Sequence, residues 1–88
     1  MNDKNYMGMY SIYDSLANCY SAPFMDVNDN CAVRRVKHAY SDSALPTDGL
    51  TLHCVASVDM TTFEIAPIDP DRSKVVSLSS LFEESSNE

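Results

Sequence analysis

Positive charge is scarce in this sequence. The chain has six lysines and arginines against thirteen aspartates and glutamates, which gives a net charge of −7 at pH 7. Contacts to phosphate depend on lysine and arginine, so this balance counts against a nucleic-acid partner. Three of the six cations lie within four residues, however, at Arg34, Arg35 and Lys37, and His38 follows directly. The placement of the cations therefore matters more than their number.

Glycine is almost absent as well. Gly8 and Gly49 are the two glycines of the chain, so no glycine-rich loop can cradle a phosphate group. No serine or cysteine stands beside a basic residue in a recognisable nucleophile motif. The paired acids near residues 69–71 and 83–84 are typical of turn and tail charges. We therefore expect a protein that is not an enzyme and that carries no cofactor.

The three cysteines, Cys19, Cys31 and Cys54, are odd in number, far apart and without a CxxC motif. This usage predicts free thiols in a reducing compartment rather than a disulfide framework. Metal-ligand spacing is also lacking. Cys31 and His38 are seven residues apart on a predicted helix, and His53 and Cys54 are neighbours on a predicted strand, where they point to opposite faces. We expect no metal site.

No apolar run approaches the roughly 20 residues that span a bilayer, and the first residues lack the pattern of a signal peptide. The sequence thus predicts a cytoplasmic protein with no membrane contact. Its 88 residues fit one domain that buries only about 60–65% of its unfolded surface, so a partner subunit would add stability. We assign residues 1–6 to a flexible N-terminus, 7–78 to the domain and 79–88 to an acidic, serine-rich tail.

Hydrophobic periodicity predicts two pairs of strands with a helix between them. The second strand contains Pro23, which lacks an N–H group and favours a sheet edge. Asp26 or Asn28 can cap the helix. The expected fold is a small α+β domain in the order ββαββ, an antiparallel sheet of two hairpins covered by one helix, with a possible further short C-terminal element. The predicted strands cover residues 7–14, 19–25, 50–58 and 63–68, and the helix lies within 24–43.

Four of the eight aromatic residues cluster between residues 9 and 24. A four-residue loop at 15–18 predicts that Tyr13 lies opposite Tyr20 and Met9 opposite Phe24. One hairpin then shows aromatic rings on both faces. Either one face is core and the other an oligomer contact, with Tyr10 or Tyr13 at the contact, or the exposed rings of Tyr10, Tyr13 and Tyr20 stack on bases.

The basic residues of the helix, Arg34, Arg35, Lys37 and His38, also allow two interpretations. Cations on a helix are commonly a solvated face. In a chain of net charge −7, the same cluster could contact about three phosphates. Three contacts give weak binding unless several copies act together, which a homo-oligomer would provide.

Four short motifs follow one another along the first half of the chain. A strand with the sequence Y-S-I-Y-D leads to Y-x-x-P-F, then to N-D at a helix start and A-x-R within the helix. The residues of these motifs are Tyr10, Ser11, Ile12, Tyr13, Asp14, Tyr20, Pro23, Phe24, Asn28, Asp29, Ala32 and Arg34. Over roughly residues 9–68, this order resembles the small nonstructural protein of gokushovirus-type microviruses, which are single-stranded-DNA phages and in which the first motif reads Y-S-[VI]-Y-D.

This resemblance implies a nonstructural, DNA-binding protein of the host cell cytoplasm, without catalytic residues or a cofactor. Its role would lie in the switch toward viral single-strand synthesis and genome packaging. The acidic balance favours a rival function, an adaptor that docks on a viral or host replication protein without binding DNA. Leu81 and Phe82 in the tail partly resemble a sliding-clamp-binding peptide and could serve such docking, or they could fold back onto the sheet.

Overall fold

The computed structural model describes residues 5–41 and 46–83. These residues form an α+β fold in which a curled antiparallel sheet is covered by one long helix. In chain order the elements are β1 (Tyr6–Asp14), β2 (Cys19–Tyr20), β3 (Phe24–Asp26), α1 (Asp29–Ser41), β4 (Leu50–Asp59), β5 (Glu64–Pro67), a 3-10 turn (Pro70–Arg72), β6 (Lys74–Ser77) and α2 (Leu78–Glu83).

The two long strands, β1 and β4, form the centre of the sheet. They pair antiparallel from Tyr6 opposite Asp59 to Asp14 opposite Leu50. β2 and β3 both pair with β1, and β5 and β6 both pair with β4. The predicted α+β class and the two hairpins are confirmed. The exact ββαββ order is not confirmed, because the described residues form six strands rather than four.

A side chain interrupts the second predicted strand. The hydroxyl of Ser21 accepts a hydrogen bond from the N–H of Ile12 at 3.0 Å, in place of a backbone carbonyl. Pro23, which follows, has no N–H to donate to a ladder. The segment predicted as residues 19–25 is therefore divided into β2 and β3.

This interruption inserts one residue into the register of the first hairpin. Tyr13 lies opposite Tyr20, as predicted. Beyond the break, Phe24 lies opposite Tyr10 instead of Met9. The predicted Met9–Phe24 pair is therefore wrong by one position, because the extra residue falls between the two strands.

The core lies between α1, α2 and one face of the sheet. Tyr10 is its largest member at 1% exposure, and its hydroxyl donates to Asp29 Oδ1 at 2.7 Å. Burial, and then this hydrogen bond, raise the pKa of Tyr10 above its ordinary value, so the hydroxyl stays protonated. A Cβ on Gly8 would lie 2.6 Å from the Tyr10 ring, so glycine is needed beneath it. The buried cluster comprises Tyr10, Ala32, Val36, Leu52 and Leu78.

Asn28 begins the long helix. Its Oδ1 accepts from the N–H of Cys31 at 2.8 Å, which satisfies one of the donors left open in the first turn. Asp26, the other predicted cap, is paired with Arg35 instead.

Neither helix within residues 5–41 and 46–83 has the length and apolar character that a membrane span requires.

The C-terminal segment adds both a strand and a helix to the domain. Leu78 is fully buried, and Leu81 packs against the core cluster. Helix α2 therefore crosses the predicted boundary between domain and tail. Residues 84–88 of that tail, residues 1–4 of the predicted N-terminal segment and residues 42–45 of the predicted loop lie outside the described ranges.

The two hairpin turns, Asp14–Asn18 and Asp59–Phe63, share one geometry. In each turn the fifth residue donates its N–H to the carbonyl of the first, and the aspartate Oδ1 accepts from the N–H two residues on at 2.9 Å. The fifth residue is left-handed in both, with φ of 58° at Asn18 and 64° at Phe63. Asparagine tolerates this conformation, whereas a bulky residue there is costly, by roughly 1–2 kcal/mol.

Candidate functional site

Three rings meet on the sheet face that points away from α1. The ring centroids of Tyr13 and Tyr20 lie 4.8 Å apart, and His53 lies 5.7 Å from Tyr20 and 6.3 Å from Tyr13 in edge-on contacts. Tyr20 is 47% exposed. We call Tyr13, Tyr20 and His53 the aromatic cluster. Its rings present π-faces and edges on which a flat, apolar group can stack.

The strands fix this cluster in place. Tyr13 and Tyr20 are register partners in β1 and β2. His53 lies on β4 between Leu52 and Cys54, which both pack into the core, so its side chain faces the other way. The hydroxyl of Tyr13 donates to Asn18 Oδ1 at 2.8 Å, which ties the ring to the first turn.

A hydrogen-bond chain orients His53. Its Nδ1 lies 2.6 Å from the hydroxyl oxygen of Ser73, which in turn lies 3.1 Å from the carbonyl oxygen of Pro70. The tautomer of His53 decides which of the two groups donates, and the contact holds the ring in place in either case. Burial, and then the nearby Lys74 ammonium, lower the pKa of His53 below its usual value, so the ring is neutral at pH 7.

Lys74 gives the aromatic cluster a cation. It is the register partner of His53 across β6 and β4, and its side chain is exposed. Arg72, also exposed, closes the 3-10 turn just before it. The face therefore combines one exposed and two half-buried rings with a cation close by, despite the acidic balance of the whole chain.

A shallow groove continues from the aromatic cluster and shares Tyr20 with it, and Ser73, the hydrogen-bond partner of His53, also lines the groove. Its volume is about 380 Å³. The serine hydroxyls that line it are bonded within the protein, since Ser11 donates to the Ser21 carbonyl at 2.7 Å. The groove thus offers mainly apolar contact. It is lined by Met9, Ser11, Tyr20, Ser21, Pro23, Val55, Ile68, Pro70 and Ser73.

The predicted basic residues of α1 lie elsewhere. Arg34, Arg35 and His38 line a concavity of about 530 Å³ together with Asp26, Val27 and Cys31. We call these six residues the helix notch. Lys37 is exposed on the same helix but is not among the residues that line it.

Arg35 is engaged within the notch. Its Nε donates to Asp26 Oδ2 at 2.8 Å, and its guanidinium lies 5.9 Å from the centroid of the Phe24 ring. The Asp26 side chain is only 7% exposed, whereas that of Arg35 is 62% exposed. The hydrogen bond from Arg35, followed by one from the Val27 N–H, holds the pKa of Asp26 below its usual value.

The structure therefore separates the residues that the sequence grouped as a DNA site. Tyr10 lies in the core, and its ring has no surface left for a base. Tyr13 and Tyr20 lie together on the face away from α1, while the basic residues lie on α1 itself. Of the predicted docking pair, Leu81 packs against the core and Phe82 is half-buried.

Sequence reasoning rejects His53 as a metal ligand and assigns no role to Ser73 or Lys74. Alternation along β4 does place His53 opposite the core face. What the sequence does not reveal is the pairing of β4 with β1 and β6, which brings these residues to Tyr13. A register that joins strands forty residues apart has no local signal.

Within residues 5–41 and 46–83, no three side chains of histidine, cysteine, aspartate or glutamate are grouped so as to hold a metal ion.

A family model described as "Phage ORF5 protein" matches residues 7–81 of the chain. No curated protein and no solved structure matches it.

Proposed function

Because the chain belongs to the Phage ORF5 protein family, we propose that it is a non-enzymatic phage accessory protein that binds single-stranded DNA. In line with the resemblance to gokushovirus nonstructural proteins, it acts in the host cell cytoplasm. There it helps to turn replication toward viral single-strand synthesis and genome packaging.

The aromatic cluster is the observation that supports this function. Proteins that bind single strands stack successive bases on exposed aromatic rings, at about 1–3 kcal/mol per base. Tyr20 exposes half of its surface beside Tyr13 and His53, and the apolar groove extends the same surface. A duplex hides its base faces, so a stacking surface of this kind favours unpaired DNA.

The charge of the chain limits how much phosphate binding can contribute. Lys74 lies beside the aromatic cluster, whereas Arg34, Arg35, Lys37 and His38 lie on the helix across the sheet. A strand that lies on the rings reaches Lys74 without leaving that face. We therefore assign most of the binding to stacking, with Lys74 as the principal phosphate contact.

A salt titration with paired variants tests this assignment. Binding to a fluorescent 20-nucleotide single strand is measured by anisotropy for the parent, Lys74→Gln and Lys37→Gln. Lys37 is a helix cation that does not line the notch. Loss of one phosphate contact flattens the slope of log K against log salt by about 0.7. We expect this flattening for Lys74→Gln and none for Lys37→Gln. The reverse result would move the phosphate contact to the helix, as the sequence alone had predicted.

Stacking is tested by Tyr20→Ala, with Leu16→Ala as the matched control. Leu16 is 87% exposed in the turn of the same hairpin and lies outside the aromatic cluster and the groove. Tyr20→Ala should weaken binding by about 1–3 kcal/mol while the salt slope stays constant. Leu16→Ala should bind like the parent. Equal binding by all three proteins would contradict a stacking site at Tyr20.

The rival proposal is an adaptor that docks on a viral or host replication protein. The net charge of −7 and the several exposed apolar side chains favour it. A parent protein that fails to bind the labelled strand at low salt, where phosphate contacts are strongest, would give the adaptor first place.

A further inference from the structure

Phe63 occupies a left-handed turn position, and the equivalent position in the first hairpin is an asparagine. It closes the second hairpin turn with φ of 64°, and Asn18 closes the first turn with φ of 58° and the same hydrogen bonds. The Phe63 ring is 59% exposed. Residues with a strained backbone cluster at functional sites in proteins. The exposed Phe63 ring contributes little burial that could offset the strain. The two turns can therefore be compared directly. The same left-handed position holds an asparagine, which adopts this conformation readily, in the first turn and a phenylalanine, for which it is unfavourable, in the second.

Phe63 is not alone at this end of the sheet. Met60 lies in the same turn and Ile65 follows on β5, and both are exposed. We call Met60, Phe63 and Ile65 the hairpin tip. Asp59 precedes it in the sequence, and Glu64 lies between Phe63 and Ile65. The tip thus combines exposed apolar side chains with two carboxylates.

The helix notch has the complementary character. Val27, which is exposed, and Cys31 provide apolar surface, and Arg34 and Arg35 border them. Asp26, which also lines the notch, is paired with Arg35, so Arg34 is the guanidinium that can meet a carboxylate of a partner. The notch volume of about 530 Å³ leaves room for an aromatic side chain. A contact between two copies of the same tip would bring carboxylates together, whereas a contact of tip with notch would place the carboxylates of the tip against a surface that carries the Arg34 guanidinium.

We propose that the hairpin tip of one copy of this chain docks in the helix notch of a second copy. This contact joins two different surfaces, so a dimer still has one free tip and one free notch. Further copies can bind at these surfaces, and the assembly grows into a closed ring or an open row. It leaves the aromatic cluster exposed on every copy. Several weak single-strand sites would then act together, although the contact itself does not depend on DNA binding.

Phe63→Asn tests the proposal, with Leu16→Asn as the matched control in the other turn. Self-association is followed by sedimentation velocity from 5 to 500 μM at 150 mM salt, and stability by urea denaturation. We expect the parent and Leu16→Asn to associate as concentration rises. Phe63→Asn should stay at 9.8 kDa and unfold at a higher urea concentration than the parent, since asparagine relieves the backbone.

A mixing experiment then identifies the partner surface. Arg34→Glu should abolish self-association because it places a carboxylate against those of the tip. Phe63→Asn retains an intact notch and Arg34→Glu retains an intact tip, so an equimolar mixture should form a dimer and stop there. Three results would each overturn the proposal: a parent that is monomeric at 500 μM, a Phe63→Asn variant that associates like the parent, or a mixture that stays monomeric. A Phe63→Asn variant that is less stable than the parent would overturn the argument from strain.

Discussion

The buried carboxylate of Asp26 gives its neighbour Arg35 a structural role. A carboxylate buried to this degree is tolerated when it is paired and hydrogen-bonded. Arg35 and the Val27 N–H meet that need at 2.8 Å each. Arg35 is therefore a structural residue before it is a candidate for phosphate contact, and replacing it together with Arg34 and Lys37 would not test DNA binding cleanly.

Arg35→Gln should destabilise the fold, with Arg34→Gln as its control. Removing the partner leaves a buried carboxylate with one hydrogen bond, at a cost of about 1–2 kcal/mol. Arg34 is exposed, so its replacement should change the free energy of unfolding by about 0.5 kcal/mol or less. Urea denaturation at pH 7 measures both variants, and equal stabilities would contradict the role assigned to Arg35.

The same pair predicts a pH dependence with a definite sign. The pKa of Asp26 is lower in the folded state than its unfolded value of about 3.9. Its contribution to stability is therefore complete above that value and is lost as the pH falls through the folded pKa. The difference between the parent and Arg35→Gln should be constant from pH 7 to 5 and shrink below about pH 4. A difference that stays unchanged at pH 3 would contradict this account.

At the scale of elements, α2 decides whether the C-terminal segment belongs to the domain. Leu81 packs against the core cluster, so Leu81→Ala should lower the free energy of unfolding by about 1–3 kcal/mol. Leu16→Ala deletes the same atoms from a side chain that is 87% exposed and should cost about 0.5 kcal/mol or less. If both variants unfold like the parent in urea, Leu81 is free for docking, as the tail hypothesis supposed.

The elements also show which features are visible in the sequence. Alternation along residues 50–58 and helical spacing around Ala32 and Val36 predict β4 and α1, because burial imposes those periods. The division into β2 and β3 is not visible. It depends on the Ser21 hydroxyl replacing a backbone carbonyl, which is a tertiary arrangement. The same holds for β6, whose short apolar segment fits a strand or a helical turn equally well.

At the scale of the whole molecule, the two faces of the sheet carry different side chains. One carries Tyr10 and the core under α1, and the other carries the aromatic cluster and Lys74. The sequence predicts that aromatic rings stand on both faces of the first hairpin, and its Tyr13–Tyr20 pair is confirmed. The sequence does not indicate which face the helix covers. The predicted DNA site therefore combined the buried Tyr10 with Tyr13 and Tyr20, and it combined the cations of α1 with rings on the opposite face of the sheet.

The central claim is that single-stranded DNA lies on the face of the aromatic cluster. An NMR titration of ¹⁵N-labelled protein with an unlabelled 12-nucleotide single strand tests it most directly, since each backbone amide reports separately. We expect the largest shift changes at Tyr13, Tyr20, His53 and Lys74, with the amides from Ala32 to His38 on α1 nearly unmoved. Changes concentrated on α1, or no changes at a DNA concentration in the millimolar range, would contradict the claim.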